Sequence, residues 1–165
     1  MYFGCNYGLK TYDGKNWRSF NIPNTTIIRS MAAGDDGLVF YGAESDFGAM
    51  LSDDQGNIKF YSIYLNKFKD EPDFSSVWKT LIADDKVYFQ TFEKIFYCDL
   101  PLKFDQNDSL VNEIKTILPE TLFHLSFSVN DKIYIREWEK GLHVLNGDQK
   151  ELIPGGEQFA LSRLY

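Results

Sequence analysis

Two pairs of acidic residues are the parts of this sequence that could most directly perform chemistry. Glu44 is followed closely by Asp46, and Glu137 is followed closely by Glu139. Two carboxylates held roughly 5–10 Å apart across a sugar can hydrolyse a glycosidic bond. Neighbouring acidic residues are, however, ordinary on a protein surface, where they keep a domain soluble. We therefore predict no catalytic residue from these pairs and expect the chain not to be an enzyme.

Two histidines, His124 and His143, are the remaining groups that could bind a metal. A histidine pair needs a carboxylate or thiolate in the same site to hold zinc, and these two lie on different strands of one repeat. The sequence contains no phosphate-binding loop, no dinucleotide fingerprint and no nucleophile elbow. We predict neither a metal site nor a cofactor.

The strands that must position these residues repeat one pattern, in which an apolar run, a turn and an aromatic strand follow each other. The runs with their turns span 28–37, 77–86 and 123–132. The following strands contain Val39, Val87 and Ile133, which are 48 and 46 residues apart. A fixed period of this length is typical of propeller blades. We predict an all-β propeller of about four blade-equivalents, each a four-stranded antiparallel sheet with a more polar outer strand.

The predicted blade boundaries follow from the same alignment. The blade-like repeats span 1–22, 27–65, 77–118 and 123–153, and an extra strand spans 157–165. Residues 111–117 are predicted as an outer strand, with a short helix within 109–118 as the alternative. The last strand could complete the first blade and close a ring of four. We favour a piece of a larger propeller, because most propellers have more than four blades.

A ligand site is predicted where the repeats bring equivalent residues to one face. The alignment puts Arg29, Trp78 and His124 at the start of the first strand of three blades. Loops between second and third strands lie on the same face, and their candidate residues are Asn6, Tyr7, Glu44, Asp46, Glu137 and Trp138. Aromatic rings beside hydrogen-bonding groups can bind a sugar or another small polar ligand. Trp78 and Trp138 could instead simply pack between blades.

Composition excludes several other classes of protein. The formal net charge is −7, whereas a nucleic-acid surface needs clustered Lys and Arg. No run of roughly 18 apolar residues could span a membrane. Cys5 and Cys98 are the only cysteines. They fall in non-adjacent blades, too far apart for a disulfide, so we expect two free thiols.

Short motifs recur in a fixed order along the chain, in segments 8–14 with Trp17, 23–24, 27–32, 36–42, 47–48, 74–78, 94–96, 137–142 and 153–156. These segments resemble the two-component-regulator propeller repeat of sensor proteins in Bacteroidetes-type bacteria. The subset most similar has a triple-tyrosine domain and a helix-turn-helix or kinase output. This resemblance implies a periplasmic, ligand-sensing propeller segment of a regulator of signal transduction and transcription. Its partners would be further blades and an output domain of the same polypeptide.

Departures from that family are also evident. The chain holds about four blade-equivalents where the family has seven or more, and the segment 100–109 is longer than expected. The main hypothesis is a non-catalytic binding module whose ligand is a carbohydrate or another small polar molecule. One alternative is a structural propeller that assembles through exposed blade edges into a homodimer. Another is a small glycan-active enzyme.

Overall fold

Four antiparallel sheets make up the protein, here a computed structural model that describes residues 1–35, 37–52, 55–68, 70, 72–107 and 109–162. Blade one contains β1 (Tyr2–Cys5), β2 (Gly8–Tyr12) and β3 (Trp17–Phe20). Blade two contains β4 (Ile28–Ala33), β5 (Val39–Ala43), β6 (Phe47–Ser52) and β7 (Ile58–Ser62). Blade three contains β8 (Lys79–Ala83), β9 (Lys86–Gln90), β10 (Ile95–Asp99) and β11 (Lys115–Ile117). Blade four contains β12 (Phe123–Val129), β13 (Lys132–Glu137), β14 (Gly141–Asn146) and β15 (Gln149–Leu152).

The predicted all-β, blade-like architecture is confirmed. In every sheet the strands lie side by side in chain order, and every pairing is antiparallel. Blade one has three strands, whereas each of the other blades has four. The first strands of blades two, three and four contact each other, so they form the inner side of the row. Across the described residues, the four sheets do not close into a ring.

The turns between first and second strands explain the Asx residues of the repeat. Asp84, Asp85, Asn130 and Asp131 all have positive φ, between 50° and 60°. Asn and Asp tolerate this left-handed conformation better than other side chains, and two such residues in succession produce the tight turn of a hairpin. The corresponding turn of blade two includes Asp36, which lies outside the described residues.

Three hydrophobic clusters stabilise the fold, one between each pair of neighbouring blades. The cluster between blades two and three is the richest in aromatic rings. Phe47 stacks on Phe89 with ring centroids 4.4 Å apart and lies 4.9 Å from Phe96. Cys98 belongs to this cluster, and burial raises the pKa of its thiol to about 12. Cys5 and Cys98 are both free thiols.

Helical structure appears at a place that the sequence pattern did not predict. Helix α1 (Ile63–Lys67) follows β7 directly, and Ser62 is its N-cap because the hydroxyl oxygen accepts the Leu65 N–H at 3.0 Å. The predicted outer strand 111–117 is shorter than expected, since β11 begins at Lys115. No helix lies between 109 and 118. None of the helices among the described residues is long and apolar enough to cross a membrane.

The predicted extra strand over 157–165 is wrong for its described part. Gly156–Phe159 form a 3-10 helix instead, after Gly155 with a φ of 77°. The buried Arg136 explains this, because its guanidinium donates to the carbonyl oxygens of Phe159 and Ala160, each at 2.8 Å. These side-chain contacts hold the segment against blade four without a strand neighbour. Residues 163–165 lie outside the described part.

Candidate functional site

Three candidate residues occupy the same place in successive blades. Arg29, Trp78 and His124 each follow a buried apolar residue at the start of the first strand. These buried residues are Ile28, Val77 and Phe123. The buried residue anchors the strand between two blades, and the next side chain then points away from that apolar contact because side chains alternate along a strand.

Backbone hydrogen bonds between neighbouring blades fix the positions at which the inner strands begin. The Val77 N–H donates to the Ala43 carbonyl at 2.9 Å, which joins blade three to blade two. The Phe123 N–H donates to the Phe92 carbonyl at 2.8 Å, which joins blade four to blade three. Each bond links the start of an inner strand to the loop between the second and third strands of the preceding blade. The candidate loops and strand ends therefore lie on one face, as the repeat predicted.

The structure brings two candidate residues, Arg29 and Trp78, into direct contact. The Arg29 guanidinium lies over the Trp78 ring, 4.7 Å from its centroid, and the same indole stacks on Phe92 with centroids 5.2 Å apart. The Arg29 Nε also donates to Ser76 Oγ at 3.0 Å. We call Arg29, Trp78 and Phe92 the aromatic cluster. It joins an exposed cation to two half-buried rings across the boundary between blades two and three.

Glu44 lies beside this cluster through its backbone. It forms a β-bridge with Ser76, the residue whose hydroxyl accepts from Arg29. The Glu44 carbonyl accepts from Asn24 Nδ2 at 2.8 Å and from Thr26 Oγ1 at 3.2 Å. The backbone is thus fixed from two sides while the carboxylate is exposed to solvent. The backbone of Glu44 is therefore held next to Ser76, the hydrogen-bond partner of Arg29.

The other residues of this face contribute less to the cluster. Asn6 and Tyr7 form the exposed turn between β1 and β2. Among the contacts of the described residues, none joins either side chain to the aromatic cluster. His124 is half-buried, and its carbonyl accepts from Gln90 Nε2 at 3.4 Å. This bond joins the backbone of His124 in blade four to Gln90 in blade three.

Asp46 is fully buried and does not present its carboxylate to a ligand. Its Oδ1 accepts from the Ser62 hydroxyl at 2.5 Å, and its Oδ2 accepts from the Tyr41 hydroxyl at 3.1 Å. Burial raises the pKa of Asp46 to about 6, although the Ser62 and Tyr41 hydroxyls partly oppose the shift. Asp46 thus stabilises the start of α1 and the interior of blade two.

Glu137 is also fully buried, and it joins blade four to the segment before it. Its Oε1 accepts the backbone N–H groups of Glu120 and Thr121, the latter at 3.0 Å. Its Oε2 accepts from the Lys150 ammonium at 2.5 Å. The neighbouring Trp138 lies under the Arg136 guanidinium, 4.5 Å from the ring centroid. The contacts of Glu137 connect β13 to β15 and to the segment before blade four, which favours a structural role for Glu137.

The two acidic pairs are each divided between solvent and interior. Glu44 and Glu139 are exposed, whereas Asp46 and Glu137 are buried and hydrogen-bonded. Neither pair therefore directs both of its carboxylates to one bound sugar. Over the part of the chain that the structure describes, no group of three His, Cys, Asp or Glu side chains could hold a metal ion.

Sequence reasoning missed three residues that shape the face. Phe92 was not selected as a site residue, although its place in the loop after β9 gave the signal. Gln90 is buried and receives a hydrogen bond from Ser126 at 3.2 Å. Arg136 is the largest fully buried side chain, which charge alone would not suggest. The burial of Arg136 depends on the carbonyl groups of Phe159 and Ala160, and the sequence pattern did not predict that these groups lie beside it.

Clefts of appreciable size open at the opposite end of the blades. One of about 450 Å³ lies between blades one and two, beside Tyr12, Arg18 and Gly56. Another of about 380 Å³ lies among blades two, three and four, beside Asp35, Asp85 and Asp131. These clefts are therefore separate from the aromatic cluster, which lies at the other end of the blades.

Comparisons with known proteins do not assign the chain to a family. No protein-family model matches it. No curated protein matches it either. The function is therefore argued from the geometry of the aromatic cluster and from the sequence resemblance described above.

Proposed function

We propose that the chain is a ligand-sensing segment of a bacterial regulator and that it acts by binding rather than by catalysis. The observation that carries the proposal is the aromatic cluster, in which the exposed Arg29 guanidinium covers the half-buried Trp78 indole. An aromatic face next to a fixed cation and a carboxylate can bind a polar ligand that also has an apolar face. A carbohydrate has both of these properties.

Three features support this assignment. The cluster is built from two blades, so a ligand that binds there would contact both and could alter their packing. The backbone of Glu44 is held by Asn24 and Thr26, which fixes the polar edge before any ligand arrives. Two of the nine candidate residues, Asp46 and Glu137, are excluded from contact by their burial. Asn6, Tyr7 and Trp138 make no contact with the aromatic cluster among the described residues, whereas Phe92 stacks on Trp78. The proposed ligand site consists of Arg29, Glu44, Trp78, Phe92 and His124.

Calorimetric titration with neutral and acidic oligosaccharides tests the proposal. Trp78→Ala should weaken the affinity for any oligosaccharide that binds by at least about tenfold, because the ring supplies the apolar contact surface. Arg29→Ala should weaken it less. Trp17→Ala is the matched control, since Trp17 lies on the outer strand of blade one, and it should leave the affinity unchanged. Equal affinities for Trp78→Ala and the unaltered protein would contradict the proposed site.

Membership of a regulator needs a separate test. The resemblance of the segments around Trp138 and Gly155 to the two-component-regulator repeat supports a periplasmic sensor role. The gene sequence on either side of this chain should encode further blades and an output module. If both flanks encode unrelated proteins, the regulator assignment is refuted, whereas the titration would still decide whether the face binds a sugar.

A further inference from the structure

The guanidinium of Arg29 is held by two neighbouring side chains. Its Nε donates to Ser76 Oγ at 3.0 Å, and its Cζ lies 4.7 Å from the centroid of the Trp78 ring. Ser76 is buried and Trp78 is half-buried, so both supports belong to the packed boundary between blades two and three. Arg29 itself is exposed. A long side chain that would otherwise sample many rotamers is therefore held in one position at the surface before a ligand binds.

The terminal nitrogens of Arg29 keep their hydrogen-bonding capacity. Among the contacts of the described residues, the Nε–H of Arg29 has an acceptor in Ser76, whereas neither Nη1 nor Nη2 donates to a protein oxygen. A guanidinium carries five N–H donors in one plane, and its two-nitrogen fork matches the two oxygens of a carboxylate. The exposed side of Arg29 can therefore bind such an anion through two parallel hydrogen bonds.

The protein supplies no counter-charge to this guanidinium within the residues that the structure describes. The chain has 24 Asp and Glu residues and 17 Lys and Arg residues, and four of its lysines form ion pairs. Arg29 forms none with the described residues, although the backbone of Glu44 is joined to Ser76 by a β-bridge. An arginine that is positioned but not neutralised in an acid-rich chain is suited to an anion from outside the protein.

We propose that the aromatic cluster binds a saccharide that carries a carboxylate, as uronic acids do. This inference rests on the proposed function and specifies the class of ligand. The carboxylate would accept two N–H groups of Arg29, and the sugar ring would pack on the accessible parts of the half-buried Trp78 and Phe92 rings. Sulfated sugars and small organic acids each share part of this chemistry. Full affinity requires the carboxylate and the sugar ring together.

Calorimetric titration with a uronic-acid oligosaccharide and with its methyl ester tests the role of the charge. Trigalacturonic acid and its fully esterified form are suitable, since they differ only at their carboxyl groups. The acid should bind about fivefold more tightly, as expected for an exposed ion pair. Equal affinities, or tighter binding of the ester, would overturn this inference but leave the proposed sugar-binding function intact. If no neutral or acidic oligosaccharide binds, the proposed function fails and this inference fails with it.

Two further ligands distinguish the possible sources of negative charge. Sulfated galactotriose carries an anion of another kind on a sugar, and acetate carries the carboxylate without the sugar. Both should bind more weakly than trigalacturonic acid. A sulfated sugar that binds at least as tightly would refute the choice of a carboxylate, and acetate that binds as tightly would refute the need for a sugar ring.

Variants of the full chain, shown to be folded by circular dichroism, assign the preference for the acid to Arg29. Arg29→Gln should abolish the preference, and Arg29→Lys should reduce it, because an ammonium keeps the charge but lacks the two-nitrogen fork. Phe92→Ala should weaken the binding of acid and ester alike. Arg18→Gln is the matched control, since Arg18 is exposed on β3 and donates to the Gly56 carbonyl at 3.4 Å, and it should keep the preference. A preference that survives Arg29→Gln, that is unchanged in Arg29→Lys, or that Arg18→Gln abolishes would overturn the assignment.

Discussion

Asp46 and Glu137 are two buried carboxylates at the same end of their blades. Different partners compensate the water contacts that each carboxylate loses on burial. Asp46 accepts from the hydroxyl groups of Tyr41 and Ser62, and among the described residues it forms no ion pair. Glu137 accepts two backbone N–H groups and forms an ion pair with Lys150. Both side chains are fully buried. The comparison therefore separates the effect of burial from the effect of a cationic partner.

The two buried carboxylates differ in the charge of their hydrogen-bond partners. Hydroxyl groups donate hydrogen bonds to Asp46 but carry no charge, so desolvation dominates and raises the pKa of its carboxyl to about 6. At Glu137 the ammonium group of Lys150 compensates the carboxylate directly. The side chain of Lys150 is 14% exposed and also lies 5.5 Å above the Phe123 ring. Lys150 and Glu137 therefore form an ion pair that links β15 to β13.

The largest effect is expected when the cationic partner of Glu137 is removed. Lys150→Met keeps the length of the side chain but leaves the carboxylate buried without its counter-charge. Such a loss costs about 3–5 kcal/mol of the free energy of unfolding, measured by urea denaturation at pH 7. Lys140→Met is the matched control, because Lys140 pairs with Glu120 at the surface, where solvent screens the attraction and its loss should change the free energy of unfolding little. Equal losses for the two variants would show that the burial of Glu137 does not matter.

A smaller, pH-dependent effect is expected at Asp46. Its pKa is higher in the folded protein than the ordinary value of 3.8, so protonation of Asp46 favours the folded state. This stabilisation is complete below about pH 3.8 and is lost as the pH rises through about 6. Asp46→Asn resembles the protonated form and lacks this loss. Relative to the unaltered protein, the variant should gain about 2 kcal/mol between pH 4 and pH 7.

Denaturation curves at both pH values measure this gain as a difference between the two proteins. The difference removes the contributions of the other acidic residues, because both proteins share them. Asp73→Asn is a suitable control, since a hydrogen bond from Lys94 lowers the pKa of the exposed Asp73 carboxyl. It should lose rather than gain stability as the pH rises. Parallel pH profiles for Asp46→Asn and the unaltered protein would contradict a raised pKa.

Sequence pattern predicted the sheets well because the relevant information is local. The alternation of Val87, Tyr88 and Phe89 places side chains on both faces of one strand, and Asp84 with Asp85 specifies the turn before it. The joint position of Arg29 and Trp78 followed from aligning the repeats. Each of these inferences needed only neighbouring residues and the period of the chain.

The environments of the two carboxylates could not be predicted in the same way. The partner of Asp46 is Ser62, and the partner of Glu137 is Lys150, each more than ten residues away along the chain. Both acids therefore had the same appearance in the sequence as their exposed neighbours Glu44 and Glu139. The 3-10 helix was also missed, because it depends on the guanidinium of Arg136, which reaches it only in the folded state.

The smallest expected effect concerns Ser62, which connects Asp46 to α1. Its hydroxyl donates to Asp46 and accepts the Leu65 N–H, so Ser62→Ala removes a hydrogen bond and a helix cap together. Loss of a cap costs about 1 kcal/mol. The hydrogen bond lowers the pKa of Asp46, which means that it favours the charged form, so the cost should be larger at pH 7 than at pH 4. In the Asp46→Asn background that pH dependence should vanish while the cost of the lost cap remains. A cost that is the same at both pH values in both backgrounds would show that Ser62 acts on the helix alone, and the contrast between Asp46 and Glu137 would then rest on Tyr41.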